Sequence, residues 1–267
     1  MNHKHISFAG AGKVASALCK EFCKSGYIID LVVSESERSC RFLAESCNAS
    51  WSTILDYPGS TDVLIISVPD QRIISVLNTL NCGPDTIVVH TGGSTALDVF
   101  PERILRKGIF YPLQTFTKER DVSFKNLPFL LESADENVLQ TLKLMAESLG
   151  GAVHYVDSEH RKMVHLAAVF ICNFTNYMLT RGEEVAIKAG YSLELFKPLL
   201  DETIAKALEA GPKNSQTGPA SRNDINTIEK HLELLSFSPD LKRLYNEITQ
   251  SIISYNKDKR HTSSGTT

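Results

Sequence analysis

Two groups of residues in the sequence have the types and spacing that chemistry on a bound ligand requires. The first is Gly10-Ala11-Gly12-Lys13-Val14-Ala15, a glycine-rich run that follows an apolar segment and precedes an amphipathic one. Glycines at these positions permit a tight turn, and the free N–H groups at a helix start bind a diphosphate. The run predicts a dinucleotide site from Gly10 to Val14, with a turn that only packs a strand against a helix as the alternative.

Ribose recognition is predicted at residues 33–39, where the second apolar segment ends. An acidic residue there accepts a hydrogen bond from a ribose 2′-hydroxyl, whereas basic and hydroxyl residues accommodate a 2′-phosphate. Ser34, Ser36 and Arg38 favour the phosphate, and Glu35 favours the hydroxyl. We expect NADP as the cofactor with NAD as the alternative, and the alternative role for Arg38 is that of a solvated residue in a first helical turn.

Two further segments end predicted strands at the edge where open parallel sheets bind ligands. They are Ser67-Val68-Pro69 and His90-Thr91-Gly92. Small residues there let the backbone approach a ribose or a nicotinamide ring, so we expect both segments to contact the cofactor. For His90 the alternative is a polar strand-end residue bonded to a neighbouring loop.

The second group is a stripe of polar residues on the apolar helix that follows the last predicted strand. At 100° per residue, Lys162, His165, Asn173, Asn176 and Thr180 fall within one narrow arc. The rest of the circumference is apolar, so we expect the helix to be largely buried and the stripe to face a water-filled cleft between two domains. His165 could donate a proton and Asn173 could orient a carbonyl or imine. A hydrogen-bonded structural role is the alternative for His165.

Two loops could complete such a cleft. Tyr111 and Gln114 follow a predicted strand and offer a phenol and an amide. Arg222 precedes a predicted helix and could bind a substrate carboxylate through two hydrogen bonds. Alternatively, Ser221 and Asp224 begin that helix and leave Arg222 in an ion pair.

The six cysteines show neither the paired C-x-x-C spacing of zinc sites nor the crowding of secreted scaffolds. This pattern predicts reduced thiols in a cytoplasmic protein. Cys19 and Cys23 lie one helical turn apart and could bind a metal, but cysteine is among the most buried residue types. We therefore expect both to pack in the core, and we expect no metal site.

The elements that must position these groups follow an α/β pattern as far as Asp157 and a helical pattern beyond it. Short apolar runs alternate with amphipathic stretches, which predicts a Rossmann-type, mainly parallel sheet followed by an all-α domain. Predicted strands are Ile6–Ala9, Ile28–Ser34, Val63–Ser67, Ile87–His90, Ile109–Tyr111, Phe129–Glu132 and Val153–Val156. Predicted helices are Lys13–Lys24, Glu37–Cys47, Gln71–Asn78, Asn137–Leu149, Ser158–Ala189, Leu193–Ala210, Ser221–Leu235 and Pro239–Asn256. The predicted domains are a dinucleotide-binding domain at 1–157, a helical substrate and dimerisation domain at 158–256, and a disordered tail at 257–267.

The composition excludes several classes of protein. Of the 267 residues, 42% are hydrophobic and 22% are charged, which is enough apolar sequence for a substantial core. The net charge of −3 gives no basic footprint for nucleic acid or an anionic membrane. We expect a cytoplasmic protein without a membrane span, whose partner is a small molecule bound in a pocket.

Together, these motifs resemble a family of bacterial Rossmann-like NADP oxidoreductases whose helical C-terminal domain has no assigned function. The resemblance is carried by G10-A-G-K-V-A, S67-V-P-D, H90-T-G-G-S, F110-Y-P-L-Q-T-F, H165-L-A-A-V-F-I-C-N-F and G218-P-A-S-R-N-D-I. It implies distant similarity to pyrroline-5-carboxylate reductase, ketopantoate reductase and β-hydroxyacid dehydrogenases, and it implies a homodimer formed through the helical domain. This sequence departs from one feature of those relatives. β-Hydroxyacid dehydrogenases place a Lys and an Asn four residues apart on the inter-domain helix, whereas here the residue four positions after Lys162 is Leu166.

We therefore expect hydride transfer between NADP(H) and a small carbonyl or imine substrate in the inter-domain cleft. His165 is the expected proton donor, Asn173 orients the electrophile, and Tyr111, Gln114 and Arg222 contact the substrate. One alternative is a non-catalytic NADP(H)-binding sensor or assembly module. Another is a reductase that uses a flavin-like or deazaflavin partner in a roomier cleft.

Overall fold

The computed structural model describes residues 5–117 and 120–263, with side chains described as far as residue 256. Internal contacts divide the chain into two compact units, between Asn173 and Phe174. The predicted domain boundary lies earlier, after Asp157. The difference arises because the helix that follows Asp157 begins as part of the first unit, fixed to the sheet through the buried Arg161.

An eight-stranded sheet forms the centre of the first unit and confirms the predicted α/β class. Its strands are β1 (His5–Ala9), β2 (Ile28–Val33), β3 (Ser50–Ser52), β4 (Val63–Ile66), β5 (Ile87–His90), β6 (Lys107–Pro112), β7 (Pro128–Glu132) and β8 (Ala152–Tyr155). They lie in the order β3-β2-β1-β4-β5-β6-β7-β8. The β6–β7 pair is antiparallel and every other neighbouring pair is parallel. β3 has no predicted counterpart, since Ser50-Trp51-Ser52 is short and mostly polar.

Helices cover both faces of this sheet. They are α1 (Lys13–Lys24), α2 (Glu37–Glu45), α3 (Asp70–Thr79) and α4 (Glu136–Ser148). One buried cluster joins the sheet to α1, α2 and α4, and a second joins it to α3. Ile65 belongs to the first cluster and Leu64 to the second, because successive side chains of a strand point to opposite faces. The neighbouring parallel strands β1, β4, β5 and β6 then bring their C-terminal loops to one edge.

A long helical stretch follows β8. It consists of α5 (Ser158–Ala168), a π-helical turn (Val169–Phe174) and α6 (Thr175–Lys188). The wider π turn rotates the residues beyond it away from a spacing of 100° per residue, so the predicted polar stripe does not continue regularly past His165. The expected burial is wrong, because only Arg161 and Ala186 of this stretch are buried.

This stretch also bears on the expectation that the protein has no membrane span. Ser158–Lys188 is the one helix in the described part of the chain that is long and apolar enough to do so by length and composition. Exposed side chains include Phe170 at 62% and Ile171 at 69%. An apolar helix with so little burial needs a surface to cover it.

The second unit contains helices with a small core of its own. Beyond α6 these are α7 (Lys197–Ala210), α8 (Pro212–Ser215), α9 (Pro219–Arg222), α10 (Ile225–Leu234) and α11 (Pro239–Ser263). Asn223 adopts a left-handed conformation with φ of 57° and ends α9, so the predicted helix 221–235 is two helices. α11 continues to Ser263, in place of the disorder predicted from residue 257, because no glycine or proline interrupts it. Residues 264–267 of the predicted tail lie outside the described residues.

Candidate active site

Gly10 and Gly12 shape the turn between β1 and α1. Gly10 has a φ of +108°, and a Cβ there would lie 2.2 Å from the carbonyl oxygen of Ser67, so the fold requires glycine at this position. A Cβ at Gly12 would meet no protein atom within 4 Å. Packing within the protein therefore does not require glycine at position 12, whereas the close approach of a diphosphate does. The loop fits the predicted dinucleotide site.

A cavity of about 570 Å³ lies beside this turn, which is within the usual range for small-molecule and cofactor sites. The predicted cofactor residues in its wall are Gly10, Ala11, Gly12, Ser34, Ser67, Val68 and Pro69. The wall also contains Glu35 and residues that the sequence analysis did not assign, namely Ala9, Val33, Ser39, Thr53, Leu55, Arg72, Ser75, Val76 and Thr79. Several of these come from α3, whose role in the site the loop motifs did not reveal.

Other predicted cofactor residues lie outside the cavity wall. Lys13 is exposed and Val14 packs against the core, because α1 leads away from the cavity after Gly12. Arg38 is exposed on α2, as expected for its alternative role as a solvated residue. The three residues of the His90–Gly92 segment also lie outside the cavity wall.

Arg72 is a cation of the cavity that the sequence analysis missed. It forms an ion pair with Glu35, and both side chains line the cavity. Ser36 accepts a hydrogen bond from the N–H of Ser39 and begins α2, so its hydroxyl is used by the helix. The sequence signal for Arg72 was its place two residues after Asp70, in the first turn of the helix that follows Ser67-Val68-Pro69.

Asp70 and Thr91 connect the loop after β4 to the loop after β5. The carboxylate of Asp70 accepts hydrogen bonds from the backbone N–H of Ser94 at 3.2 Å and from the Ser94 hydroxyl. The Thr91 hydroxyl donates to the Ser67 hydroxyl at 3.3 Å. These bonds hold the two predicted cofactor segments together without placing Thr91 in the cavity wall.

His90 is fully buried beneath these loops. Its Nδ1 accepts a hydrogen bond from the N–H of Gly92 at 3.1 Å, and its ring stacks on Phe100 with centroids 5.4 Å apart. Burial and, to a smaller extent, the charge of Arg161 lower the pKa of His90 to about 4, against opposing contributions from the Ala96 backbone and the Asp70 carboxylate. His90 is therefore neutral at pH 7, and these contacts fit its structural alternative.

Tyr111 and His165 form the part of the site that is best suited to proton transfer. The Tyr111 hydroxyl and His165 Nδ1 are 2.9 Å apart, and the rings meet edge to face. A Cβ on Gly93 would lie 2.5 Å from His165 Nδ1 and 3.0 Å from Tyr111 Cζ, so the pair rests directly on this glycine. Burial raises the pKa of Tyr111, and the negative charge of Asp70 adds to the shift. The phenol is therefore protonated at neutral pH.

Arg161 fixes the position of His165. Its side chain is fully buried, and its guanidinium pairs with the Glu132 carboxylate and donates to the Thr95 carbonyl. Ser158 strengthens the contact, since its hydroxyl donates to Glu132 and accepts the Leu97 N–H at 3.0 Å. Residues four apart on a helix share a face, so the Arg161 anchor turns His165 towards the sheet edge.

The sequence analysis did not identify Gly93, Glu132 or Arg161 as parts of the site. Arg161 could have been found from its spacing of four residues to His165. Nothing in the sequence around Glu132 indicates a role in the site. Glu132 meets Arg161 only because β7 pairs with β6 and α5 packs against the sheet.

The remaining predicted substrate residues are exposed. Asn173 is exposed on the π turn. The Gln114 side chain is exposed and accepts a hydrogen bond from the Thr115 N–H at 2.8 Å. Arg222 is exposed at the end of α9 in the second unit, and Asp224 begins α10 by accepting from the Thr227 N–H. Their roles in substrate binding stay predictions.

Two family descriptions match parts of the chain. Residues 5–92 match "NADP oxidoreductase coenzyme F420-dependent", and residues 127–252 match a domain of unknown function, DUF2520. The first range holds the glycine loop and its cavity, and the second holds His165 and its anchor. No match is found among curated proteins.

Solved structures match almost the whole chain. A protein from Bacteroides fragilis, named as a candidate NADP oxidoreductase, has 36% sequence identity and a TM-score of 0.87, with 94% of this chain and 98% of the other covered. A protein from Thermotoga maritima has 26% identity and a TM-score of 0.77, with 94% and 99% covered. An imine reductase from Myxococcus stipitatus, solved with NADP⁺, shares the fold at 18% identity and a TM-score of 0.64, with 98% and 95% covered.

The buried, neutral His90 predicts a pH dependence of stability. Its pKa of about 4 in the folded chain lies below the ordinary value of 6.5, so the unfolded chain takes up the proton first. The contribution of neutral His90 to the free energy of unfolding is complete above pH 6.5 and is lost as the pH falls towards 4. In His90→Asn an amide oxygen can replace Nδ1. When the pH is lowered from 7 to 4, we expect the wild type to lose roughly 3 kcal/mol more of its free energy of unfolding than this variant loses.

Urea unfolding at a series of pH values measures this difference. His154→Asn is the matched control, because His154 is exposed on β8 and its replacement should leave the wild-type pH dependence intact. Parallel pH profiles for the wild type and His90→Asn would show that His90 is not neutral in the folded protein.

Proposed function

The chain belongs to the family of NADP oxidoreductases represented by the Bacteroides fragilis protein, and on this basis we propose that it transfers a hydride between NADP(H) and a small carbonyl or imine compound. The observation that carries the proposal is the Tyr111–His165 hydrogen bond above Gly93, at the sheet edge that also holds the glycine loop. Bound NADP(H) supplies or accepts the hydride. Gly10, Gly12 and Arg72 are the residues that would hold its phosphates.

His165 and Tyr111 supply the proton that accompanies a hydride. The protonated phenol of Tyr111 donates to Nδ1 of His165, which leaves Nε2 as the ring atom that carries a proton towards a substrate. His165 can give the Nε2 proton to the alkoxide or amine nitrogen that hydride addition produces, while Nδ1 takes the proton of Tyr111 and water returns a proton to the phenolate. Asn173, Gln114 and Arg222 are further candidates for contact with the substrate.

Position accounts for the preference for His165 over His160, the other histidine of α5. His160 is exposed and bonded to Asp157 at the start of the helix, away from Tyr111. Arg161 holds the intervening turn, so His165 keeps one orientation before a substrate arrives. Fixed geometry of this kind lowers the entropic cost of reaching the transition state.

The experiment is NADPH oxidation by the purified chain with a panel of keto acids, imines and a deazaflavin acceptor. We expect turnover with a carbonyl or imine compound, and we expect His165→Ala to lower it by roughly 100-fold or more, since general acid catalysis contributes about that much. NADPH affinity should change little, because His165 lies outside the cavity wall. His160→Ala is the matched histidine control and should keep wild-type turnover.

Two results would contradict the proposal. One is full turnover by His165→Ala. The other is the absence of NADPH oxidation across the panel by wild-type protein that binds NADPH, a result that favours a non-catalytic binding module.

We also propose that a second copy of the chain covers the apolar helix Ser158–Lys188. Phe170 and Ile171 are among its exposed large side chains, and several uncharged polar residues, including Asn173, are interspersed with them. Such a mixture is typical of an interface between subunits, whereas a lipid-facing helix leaves few polar side chains unpaired. This supports the homodimer that the family resemblance implied.

Sedimentation of the full chain without detergent tests this proposal. We expect a dimer for the wild type and a monomer for the double variant Phe170→Glu and Ile171→Glu, since two charges would be buried in the interface. Leu105→Glu is the control, because Leu105 is 78% exposed and lies elsewhere in the chain. A monomeric wild type, or one that partitions into lipid vesicles, would contradict it.

A further inference from the structure

Three cysteine side chains converge at the ends of α1 and α2. Cys19 and Cys23 lie one turn apart on α1, and Cys47 follows α2. The Sγ atoms of all three lie within 4.8 Å of one another, and those of Cys19 and Cys47 are 3.2 Å apart. Neither the glycine loop nor the Tyr111–His165 pair uses these thiols.

We propose that Cys19, Cys23 and Cys47 form a site for a thiophilic metal ion, with Zn²⁺ as its occupant. Zinc binds thiolate sulfur at about 2.3 Å, which places neighbouring sulfurs of a tetrahedral site about 3.8 Å apart. The sulfurs of Cys19 and Cys47 are 3.2 Å apart and no pair in the cluster is more than 4.8 Å apart, so the ion fits with small rotations of the side chains. Three thiolates with an open fourth position suit zinc and exclude hard ions such as Mg²⁺.

Short contacts hold the sulfur of Cys47 beside that of Cys19. The thiol of Cys19 donates a hydrogen bond to the sulfur of Cys47. The Ser46 hydroxyl also lies within bonding distance of the Cys47 sulfur, at 3.6 Å. The fold therefore places the sulfur atoms together, and in its thiolate form cysteine binds metal.

Binding of Zn²⁺ to the three sulfurs forms three metal–sulfur bonds and releases the thiol protons to water. The resulting trithiolate site carries one net negative charge, which Lys20 partly offsets.

Core packing alone does not explain this arrangement. Cys19 is fully buried, but Cys23 and Cys47 are partly exposed, so an ion can reach the cluster from solvent. Cys40 gives the contrast, since it is buried on α2 and its thiol donates only to the Glu37 carbonyl. The sequence expectation that Cys19 and Cys23 only pack in the core leaves out Cys47, which the fold brings to them.

The site would tie together two helices that begin at the cofactor cavity. α1 starts after the glycine loop, and α2 starts beside Ser34, Glu35 and Ser39. A metal clamp at the opposite ends of these helices would restrain both and stabilise the folded chain by mass action. We therefore assign the ion a structural role rather than a catalytic one.

Titration of the full, reduced, chelator-treated protein with Co²⁺ and then Zn²⁺ tests the proposal. We expect a thiolate-to-cobalt charge-transfer band that saturates at one ion per chain, its loss when Zn²⁺ displaces cobalt, and a rise in the thermal midpoint with Zn²⁺. In Cys47→Ser the affinity should fall at least about tenfold, since loss of even an outer partner of a metal site costs about 10–100-fold. Cys82→Ser is the control, because Cys82 is also partly exposed but lies outside the cluster.

Three outcomes would overturn the proposal. The first is no charge-transfer band in folded wild-type protein, and the second is a band that survives in both Cys47→Ser and Cys23→Ser. The third is a Cys19–Cys47 disulfide, seen by mass as the loss of two hydrogens on exposure to a mild disulfide oxidant, in protein that binds no zinc when reduced. Cys23→Ser serves as the second variant because Cys23 is partly exposed and its replacement leaves the buried Cys19 in place.

Discussion

The buried ion pair between Arg161 and Glu132 is the interaction on which the candidate active site depends. Arg161 is fully buried and the Glu132 side chain is 16% exposed, so the guanidinium depends on this carboxylate as its counter-charge. Removal of one partner from such a pair typically costs about 3–5 kcal/mol, because the remaining charge stays buried and uncompensated. The pair fixes the first turns of α5 against the sheet, and one turn later the same helix face carries His165. The proposed proton donor therefore lies on an anchored helix rather than on a loop.

The same edge of the sheet gathers the other parts of the site through short-range bonds between loops. Asp70 binds Ser94, and Thr91 binds Ser67, so the loops after β4 and β5 act as one surface. Gly93 then leaves room for the rings of Tyr111 and His165. Substitution at Gly10 or Gly93 would meet backbone or ring atoms respectively, which explains why glycine stands at both positions. The cavity beside the glycine loop and the Tyr111–His165 pair therefore lie at the same edge, formed by the carboxyl ends of parallel strands.

Local patterns in the sequence predicted the sheet, most helices and the glycine loop, because strand periodicity and turn chemistry are local properties. They also identified Tyr111 and His165, but as separate candidates. The pairing of these two residues, the Arg161–Glu132 anchor and the meeting of Cys47 with Cys19 depend on how distant elements pack, and no local spacing encodes them. The polar stripe predicted on the helix after Ser158 was wrong for a local reason. It assumed 100° per residue throughout, whereas the backbone widens into a π turn at Val169–Phe174. The exposure of that helix was missed for a related reason, since apolar residues can face a second subunit as well as the core of their own chain.

Calorimetric titration of NADPH into the wild type and into Gly12→Val tests the central claim most directly, because position 12 has open space in the protein and a functional need for glycine only when a diphosphate approaches. The account predicts one binding event per chain in the wild type. It also predicts an affinity at least roughly tenfold lower in the equally folded variant, as expected when a close backbone contact to the phosphates is lost. Equal binding by the two proteins, or no heat from either nicotinamide dinucleotide with folded wild-type protein, would contradict it.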